Sequence, residues 1–164
     1  MTAKDANLND DKQFEIKLGL LQEITDKKYA ALSAILSISE NQAQLYLSPP
    51  SDERREFLLE MGKLKQIEID NVLACDTVFQ QIFEEIAADF EEKCKQHAEK
   101  ARKLQDGVRE VLELDVKIRA QEQKTQQQAK ESFGVIAKEN TINPANTSYI
   151  LEQYKNNSKP KPMG

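Results

Sequence analysis

The sequence predicts an all-α fold: a long antiparallel helical hairpin with a third helix, in a three-helix, coiled-coil-like bundle with a flexible C-terminal tail. The first observation is a proline-free run from Ser51 to Asn143 with apolar residues every three or four positions. A similar segment, roughly Asn9 to Leu47, precedes it, and Pro49 and Pro50 stand between the two. Glu, Lys, Gln, Ala and Leu dominate the composition, as in long helices. We predict a helical domain over 1–138, with helices at about 9–48, 51–95 and 100–138, and a tail over 139–164.

The composition excludes several classes of function. The 164 residues are 31% charged and 39% hydrophobic, and the net charge of −5 makes nucleic acid a poor partner. No run of 18 apolar residues exists, so we expect no membrane insertion. Residues 1–11 lack the apolar stretch of a secretory signal, and Cys75 and Cys94 are expected to be reduced thiols. These features predict a cytoplasmic protein.

The first helix is predicted after a disordered lead, Met1 to Leu8, with Asn9, Asp10 and Asp11 favouring its start. Its apolar stripe advances by three and four residues, with one longer step over Lys28. The stripe comprises Phe14, Leu18, Leu21, Ile24, Ala31, Ile35, Ile38, Gln42 and Leu45.

The second helix follows a short connection, which forces an antiparallel hairpin. Pro49 and Pro50 end the first helix, and Ser51 is suited to cap the second. Its predicted core stripe comprises Phe57, Met61, Leu64, Val72, Cys75, Phe79, Ile82, Ile86 and Phe90. Its end is left open by the sequence: Asp106-Gly107 is a plausible break, yet the apolar stripe passes through Gly107 in phase. We expect the reversal within residues 92 to 107.

The third helix carries apolar residues mainly from Val108 to Ile118. From Gln121 to Gln128 the apolar content collapses, which predicts a helix with little tertiary support. The tail is rich in turn-forming residues and holds one apolar segment, 149–154. That segment is interpreted either as a docking peptide or as a short helix folded back on the bundle.

Catalytic and metal sites are not expected. The chain has a single histidine, His97, and lacks the repeated Glu-x-x-His motif of a di-iron bundle. Cys94 and His97 supply only two ligands on one helical face, fewer than a zinc site needs. No glycine-rich phosphate loop or nucleophile motif is present. We therefore predict a binding protein, without cofactor, rather than an enzyme.

Two segments, Leu64 to Phe79 and Leu112 to Lys124, resemble flagellar export chaperones of the FlgN/FliT type, particularly the forms from clostridia-like bacteria. The resemblance covers roughly residues 10 to 155. It implies a small cytoplasmic helical protein that holds the terminal helical segment of a hook-associated or filament-cap protein. It also implies delivery of that client to the export gate of the flagellar type III secretion system.

The resemblance further implies which residues make these contacts. The C-terminal helical region of such chaperones grips the client, and the matching positions here are Val108, Val111, Leu112, Leu114 and Ile118. An exposed aromatic contacts the gate, and by position this is Tyr149 or Tyr154. The alternative for Val108 to Ile118 is that they close the three-helix core. The alternative for the whole chain is a self-associating coiled-coil structural or adaptor protein, such as a parallel homodimer.

Overall fold

The computed structural model describes the backbone of residues 2–136 and the side chains of residues 2–133. Over this range the chain forms four helices: α1 (Ala3–Leu47), α2 (Asp52–Ile86), α3 (Phe90–Gln96) and α4 (Ala98–Ile136). The prediction of an all-α fold is confirmed. The tail from 139, with its apolar segment 149–154, lies outside the described residues.

The first helix begins earlier than predicted, because residues 3–8 are helical and not a disordered lead. Thr2 and Asp5 form the start. The Asp5 backbone N–H donates to Thr2 Oγ1 at 3.3 Å, and the Thr2 backbone N–H donates to Asp5 Oδ2 at 3.4 Å. These reciprocal bonds satisfy groups that the first turn leaves without helical partners, so Thr2 takes the role predicted for Asn9 to Asp11.

The connection between α1 and α2 agrees with its sequence signals. α1 ends at Leu47, before Pro49 and Pro50, and the backbone N–H of Arg54 donates to Ser51 Oγ at 3.0 Å. Ser51 is therefore the cap of α2, as predicted.

The second helix ends earlier than predicted, at Ile86, not near residue 95. Ala87–Asp89 interrupt the helix, α3 follows as seven residues, and a second interruption falls at His97. Gly107 lies inside α4 with an ordinary helical backbone, so the Asp106-Gly107 break is absent. The predicted reversal window, 92 to 107, includes His97 but misses Ala87–Asp89.

The described residues divide into two compact units. Unit 1 holds residues 2–30 and 74–113, and unit 2 holds residues 31–73 and 114–136. In unit 1, α2 runs antiparallel to α1, since Lys17 pairs with Glu85 (3.0 Å) and Lys28 with Asp76 (2.6 Å). There α4 runs parallel to α1, since Lys100 bonds to Glu15 and Gly107, further along α4, lies beside Gln22 and Thr25, further along α1.

The core of unit 1 is aromatic at the interruptions between α2 and α4. Phe90 lies 5.2 Å from Phe83 and 6.1 Å from Phe14, measured between ring centroids. His97 lies against Phe14 at 5.8 Å, and its Nε2 is 2.8 Å from Asp11 Oδ1. Buried residues of this core are Phe14, Leu18, Leu21, Ile86 and Leu104.

The core of unit 2 combines apolar and polar side chains. Its buried apolar residues include Leu32, Ile35, Ile69, Ile118 and Ala129. Arg54, itself buried, donates from Nη1 to the Ser48 carbonyl oxygen at 2.7 Å and from Nη2 to Ser132 Oγ at 2.6 Å. The end of α1, the start of α2 and the last described turns of α4 therefore meet around one guanidinium group.

Candidate interaction surfaces

The residues predicted to bind a client are mostly inside the protein. Val111, Leu114 and Ile118 are buried, with Ile118 at 0% exposure. Val108 is partly buried against the core of unit 1. Leu112 is exposed, at 61%. Residues 111, 114 and 118 follow the helical period and share a face, whereas 112 projects elsewhere.

The burial of these four side chains agrees with the alternative that they close a core. A client that contacted them would first have to displace α4 from its neighbours. Leu112 is accessible without such a displacement, so it is the one of the five client-binding candidates that a client could contact in the free chain. Val116, one turn later on α4, is also exposed.

A second apolar surface lies on α2. Phe57, Leu64 and Ile67 are 56%, 49% and 54% exposed, and Met61 between them is half-buried. We call these four residues the α2 face; they advance by three or four residues and so follow one side of the helix. The prediction that Phe57 and Leu64 belong to the core is wrong.

The core side of α2 is instead formed by Arg54, Lys65, Ile69 and Val72, all of which are buried. Val72 belongs to the predicted stripe and is buried as predicted. Arg54, Lys65 and Ile69 are rotated away from the predicted positions Phe57, Met61 and Leu64 by roughly a sixth to a quarter of a turn on a helix of 3.6 residues per turn. This part of α2 carries more apolar side chains than the core buries. The α2 face consists of the apolar side chains that remain exposed or half-buried.

Acidic residues border the α2 face. Three exposed glutamates lie close to it in sequence: Glu53, Glu56 and Glu60. Glu53 and Glu56 precede Phe57 by four residues and one residue. Glu60 follows Phe57 by three residues and precedes Leu64 by four. The Lys63 Nζ lies 3.9 Å from Glu60 Oε2, and both side chains are largely in solvent, so that pair is weak. The surface is therefore apolar along its centre and negative along its N-terminal border.

A polar cluster lies in the core of unit 2, beside this face. Lys65 Nζ donates to Glu122 Oε1 at 2.6 Å, and Ser39 Oγ donates to the same oxygen. Thr125 Oγ1 is 3.2 Å from the Ser39 carbonyl oxygen and 2.9 Å from that of Gln121. All four side chains named in the cluster (Ser39, Lys65, Glu122 and Thr125) are at most 3% exposed.

Burial lowers the pKa of Lys65 below its ordinary value, because the loss of hydration outweighs the attraction of Glu122. A buried amine with a lowered pKa can serve as a nucleophile or base only where a substrate reaches it. Lys65 is 1% exposed and bonded to Glu122, so its position is that of a structural ion pair.

Sequence reasoning missed this cluster, although a signal was present. Lys65 lies four residues before Ile69 and seven before Val72, and Glu122 lies four after Ile118. Two opposite charges thus occupy core positions of two predicted helices. That pattern indicates a buried pair when the helices are neighbours.

The residues considered for metal binding have other roles. His97 is engaged by Asp11 and Phe14, and burial raises the pKa of the Cys75 and Cys94 thiols, which keeps them protonated and weakly reactive. Among the described residues no group of three metal-ligating side chains converges. The candidate gate residues Tyr149 and Tyr154 lie outside the described range.

Comparisons with known proteins give no further assignment. No protein-family model, no curated protein and no solved structure matches this chain. Within residues 2–136, no helix is long and apolar enough to cross a membrane. The functional argument therefore depends on the surfaces described above.

Proposed function

We propose that this chain is a cytoplasmic flagellar export chaperone that binds the terminal helical segment of a hook-associated or filament-cap protein. The observation that carries the proposal is the exposure of large apolar side chains on long helices while charged side chains occupy the core. Apolar surface of this kind suits an amphipathic helix of a partner, which buries its own apolar face on binding. The resemblance of Leu64 to Phe79 and Leu112 to Lys124 names the class of client.

The proposal uses the predicted layout, in which α1 and α2 form the hairpin and α4 is the third helix. The client contacts Leu112 in the free chain. Val108, Val111, Leu114 and Ile118 join the contact when α4 moves away from its neighbours. Delivery to the export gate uses Tyr149 or Tyr154.

Co-purification tests the client assignment. The full chain is co-expressed with the terminal segment of a hook-associated protein from the same organism, and the complex is isolated through a tag on the client. Leu112→Asp is expected to reduce the recovered complex at least tenfold, because it places a charge at the exposed contact. The neighbouring exposed Glu113→Ala is the matched control and should leave recovery unchanged.

The buried candidates are expected to behave differently. Val111→Asp and Ile118→Asp should lower helicity, because each places a carboxylate among core side chains. Equal recovery of client by the wild type and Leu112→Asp, with circular dichroism unchanged, would contradict the assignment of this surface. Deletion of residues 145–164 should spare client binding and lower export in a secretion assay.

A second candidate function is self-association as a coiled-coil structural or adaptor protein. The burial of the α1 stripe limits which surface such a dimer can use. Most of the α1 stripe on which a parallel homodimer was expected, including Phe14, Leu18, Leu21 and Ile35, is buried within the chain. A dimer must then use another surface, and Leu8, Ile16 and Leu20 are exposed on α1. Sedimentation of the free chain as a stable dimer that Ile16→Asp dissociates would favour this function over the first.

A further inference from the structure

The α2 face lacks a cover among the described residues, although its composition suits one. Phe57, Leu64 and Ile67 each keep about half of their surface in solvent, along a strip about 15 Å long on the helix axis. Burial of large apolar side chains is favourable in proportion to the apolar area that leaves water. A segment that covered the strip would recover part of this free energy.

The negative charge beside the strip favours a positively charged segment as the group that covers it. Glu53, Glu56 and Glu60 border Phe57, so a positively charged segment is attracted to this end and a negatively charged one is repelled. A second copy of this chain that met the strip around a twofold axis would bring the same glutamates together, because such an interface is self-complementary. The charge therefore disfavours a homodimer through the α2 face.

The chain itself carries a segment of the required chemistry. Residues 149–154 include Tyr149, Ile150, Leu151 and Tyr154, and Lys155, Lys159 and Lys161 follow them. The stretch 149–161 contains a single acidic residue, Glu152. It combines large apolar side chains with a net positive charge, so it is complementary to the apolar and negatively charged α2 face.

The position at which α4 leaves the described structure places this segment within reach. Ser132 Oγ accepts a hydrogen bond from Arg54 at 2.6 Å, and Arg54 precedes Phe57 by one helical turn. The Phe133 ring lies 5.9 Å from that of Tyr46 at the end of α1. The chain therefore leaves unit 2 beside the start of the α2 face, and residues 137–148 span up to about 40 Å when extended.

We propose that the α2 face is the docking site for this chain's own segment 149–161, with the apolar residues on Phe57, Leu64 and Ile67 and the lysines near Glu53, Glu56 and Glu60. A linker of this length gives an effective concentration of roughly millimolar, so a contact too weak to form between separate molecules is populated within one chain. The inference does not depend on the chaperone proposal.

Disulfide trapping tests the contact in the full chain. In a Cys75→Ala/Cys94→Ala background, Glu60→Cys is paired with Gln153→Cys. The rate of intramolecular disulfide formation is measured at low protein concentration with oxidised glutathione as the oxidant, which is reduced to two glutathione thiols for each disulfide formed. The matched control replaces Glu60→Cys by Leu59→Cys, which is also exposed but projects away from the α2 face. The Glu60 pair is expected to form at least five times faster, and equal rates would overturn the proposal.

Charge exchange tests the pairing. Lys155→Glu with Lys159→Glu should slow trapping severalfold, and adding Glu53→Lys with Glu56→Lys to that chain should restore it. Failure of the second pair to restore the rate would overturn the assigned orientation of the lysines. Circular dichroism verifies that each variant remains helical.

Thiol labelling distinguishes the other occupants. The single variant Glu60→Cys, in the same background, should react with iodoacetamide severalfold more slowly in the full chain than after deletion of 145–164. Equal labelling rates would mean that the face is open in the free chain and left for another protein, which overturns the proposal. Disulfide-linked dimers in place of the intramolecular product would assign the face to a second copy and overturn it equally.

Discussion

At the scale of single residues, the pair of Lys65 and Glu122 is the least expected feature of the core. Its two charges are hydrogen-bonded to each other and the carboxylate also accepts from Ser39, so each charge has a partner inside unit 2. Desolvation of such a pair offsets most of its Coulomb attraction. The pair therefore contributes little net stability, while each member alone is costly to bury.

Lys65→Met is expected to lower the free energy of unfolding by about 3–5 kcal/mol, because it leaves the Glu122 carboxylate buried without its cation. The double variant Lys65→Met/Glu122→Leu should return close to the wild-type value or exceed it, since it removes both charges and keeps the volume. Urea denaturation of the three proteins measures the effect. A double variant as unstable as the single one would show that the pair itself stabilises unit 2.

The lowered pKa of Lys65 predicts a dependence of stability on alkaline pH. The amine titrates near 10.5 in the unfolded chain and at a lower pH in the folded one. Between these two values the unfolded state binds more protons, so the free energy of unfolding of the wild type should rise with pH relative to the Lys65→Met/Glu122→Leu variant. Below the folded pKa the difference should be constant. Denaturation curves at intervals from pH 7 to about 10.5 measure it, and a difference that falls as pH rises would contradict the prediction.

At the scale of elements, the sequence predicts where the long helices lie along the chain, but it does not predict which side of α2 faces the core. The period of the apolar residues and the signals at Pro49, Pro50 and Ser51 predict three long helices, because both are local properties of the chain. The rotation of the first half of α2 was missed because Phe57 and Leu64 compete with Ile69, which lies outside the predicted stripe, for one core. Only packing decides which set is buried.

The interruptions before α4 were missed for a related reason. Ala87–Asp89 contain no glycine or proline, and the interruption accompanies the packing of Phe90 on Phe83 and Phe14. The polar stretch 121–128 was expected to lack tertiary support, yet it is helical with Glu122 and Thr125 in the core. The spacing of Glu122 from Ile118 places it on the core side of its helix, but its partners, Lys65 and Ser39, are distant in sequence, so the local pattern does not say which residues it meets.

Two helical glycines allow a matched test of how closely α1 and α4 approach in unit 1. A Cβ at Gly107 would lie 3.3 Å from Gln22 Nε2 and 3.3 Å from Thr25 Cγ2, whereas a Cβ at Gly19 would meet nothing within 4 Å. Gly19→Ala should therefore stabilise the protein by about 1 kcal/mol, the difference in helix propensity. Gly107→Ala should gain less or lose stability, because the buried Thr25 is held by a 2.8 Å hydrogen bond to the Leu21 carbonyl oxygen. Thermal denaturation measures the change in stability of each variant. An equal gain for both would show that the Thr25 side chain moves away from the new methyl group at no cost in free energy.

At the scale of the whole molecule, the described chain contains two compact units that are not separate along the sequence. α1, α2 and α4 each contribute residues to both units. Unit 1 has an apolar and aromatic core, and unit 2 has a core that includes Arg54, Lys65 and Glu122. The two differ in chemistry, so they are expected to differ in local stability.

Two substitutions on the same helix test this expectation. Phe14→Ala removes the ring at the centre of unit 1 and should cost about 3–5 kcal/mol, and Ile35→Ala in unit 2 should cost about 2–5 kcal/mol. Because each side chain packs within its own unit, Phe14→Ala should accelerate amide hydrogen exchange mainly in residues 3–30 and 74–113. Ile35→Ala should do so mainly in 31–73 and 114–136. Exchange measured by mass spectrometry on peptides from both ranges distinguishes the two patterns. If both variants accelerate exchange equally throughout, the three shared helices couple the units into one cooperative body, and the difference in core chemistry has no consequence for local opening.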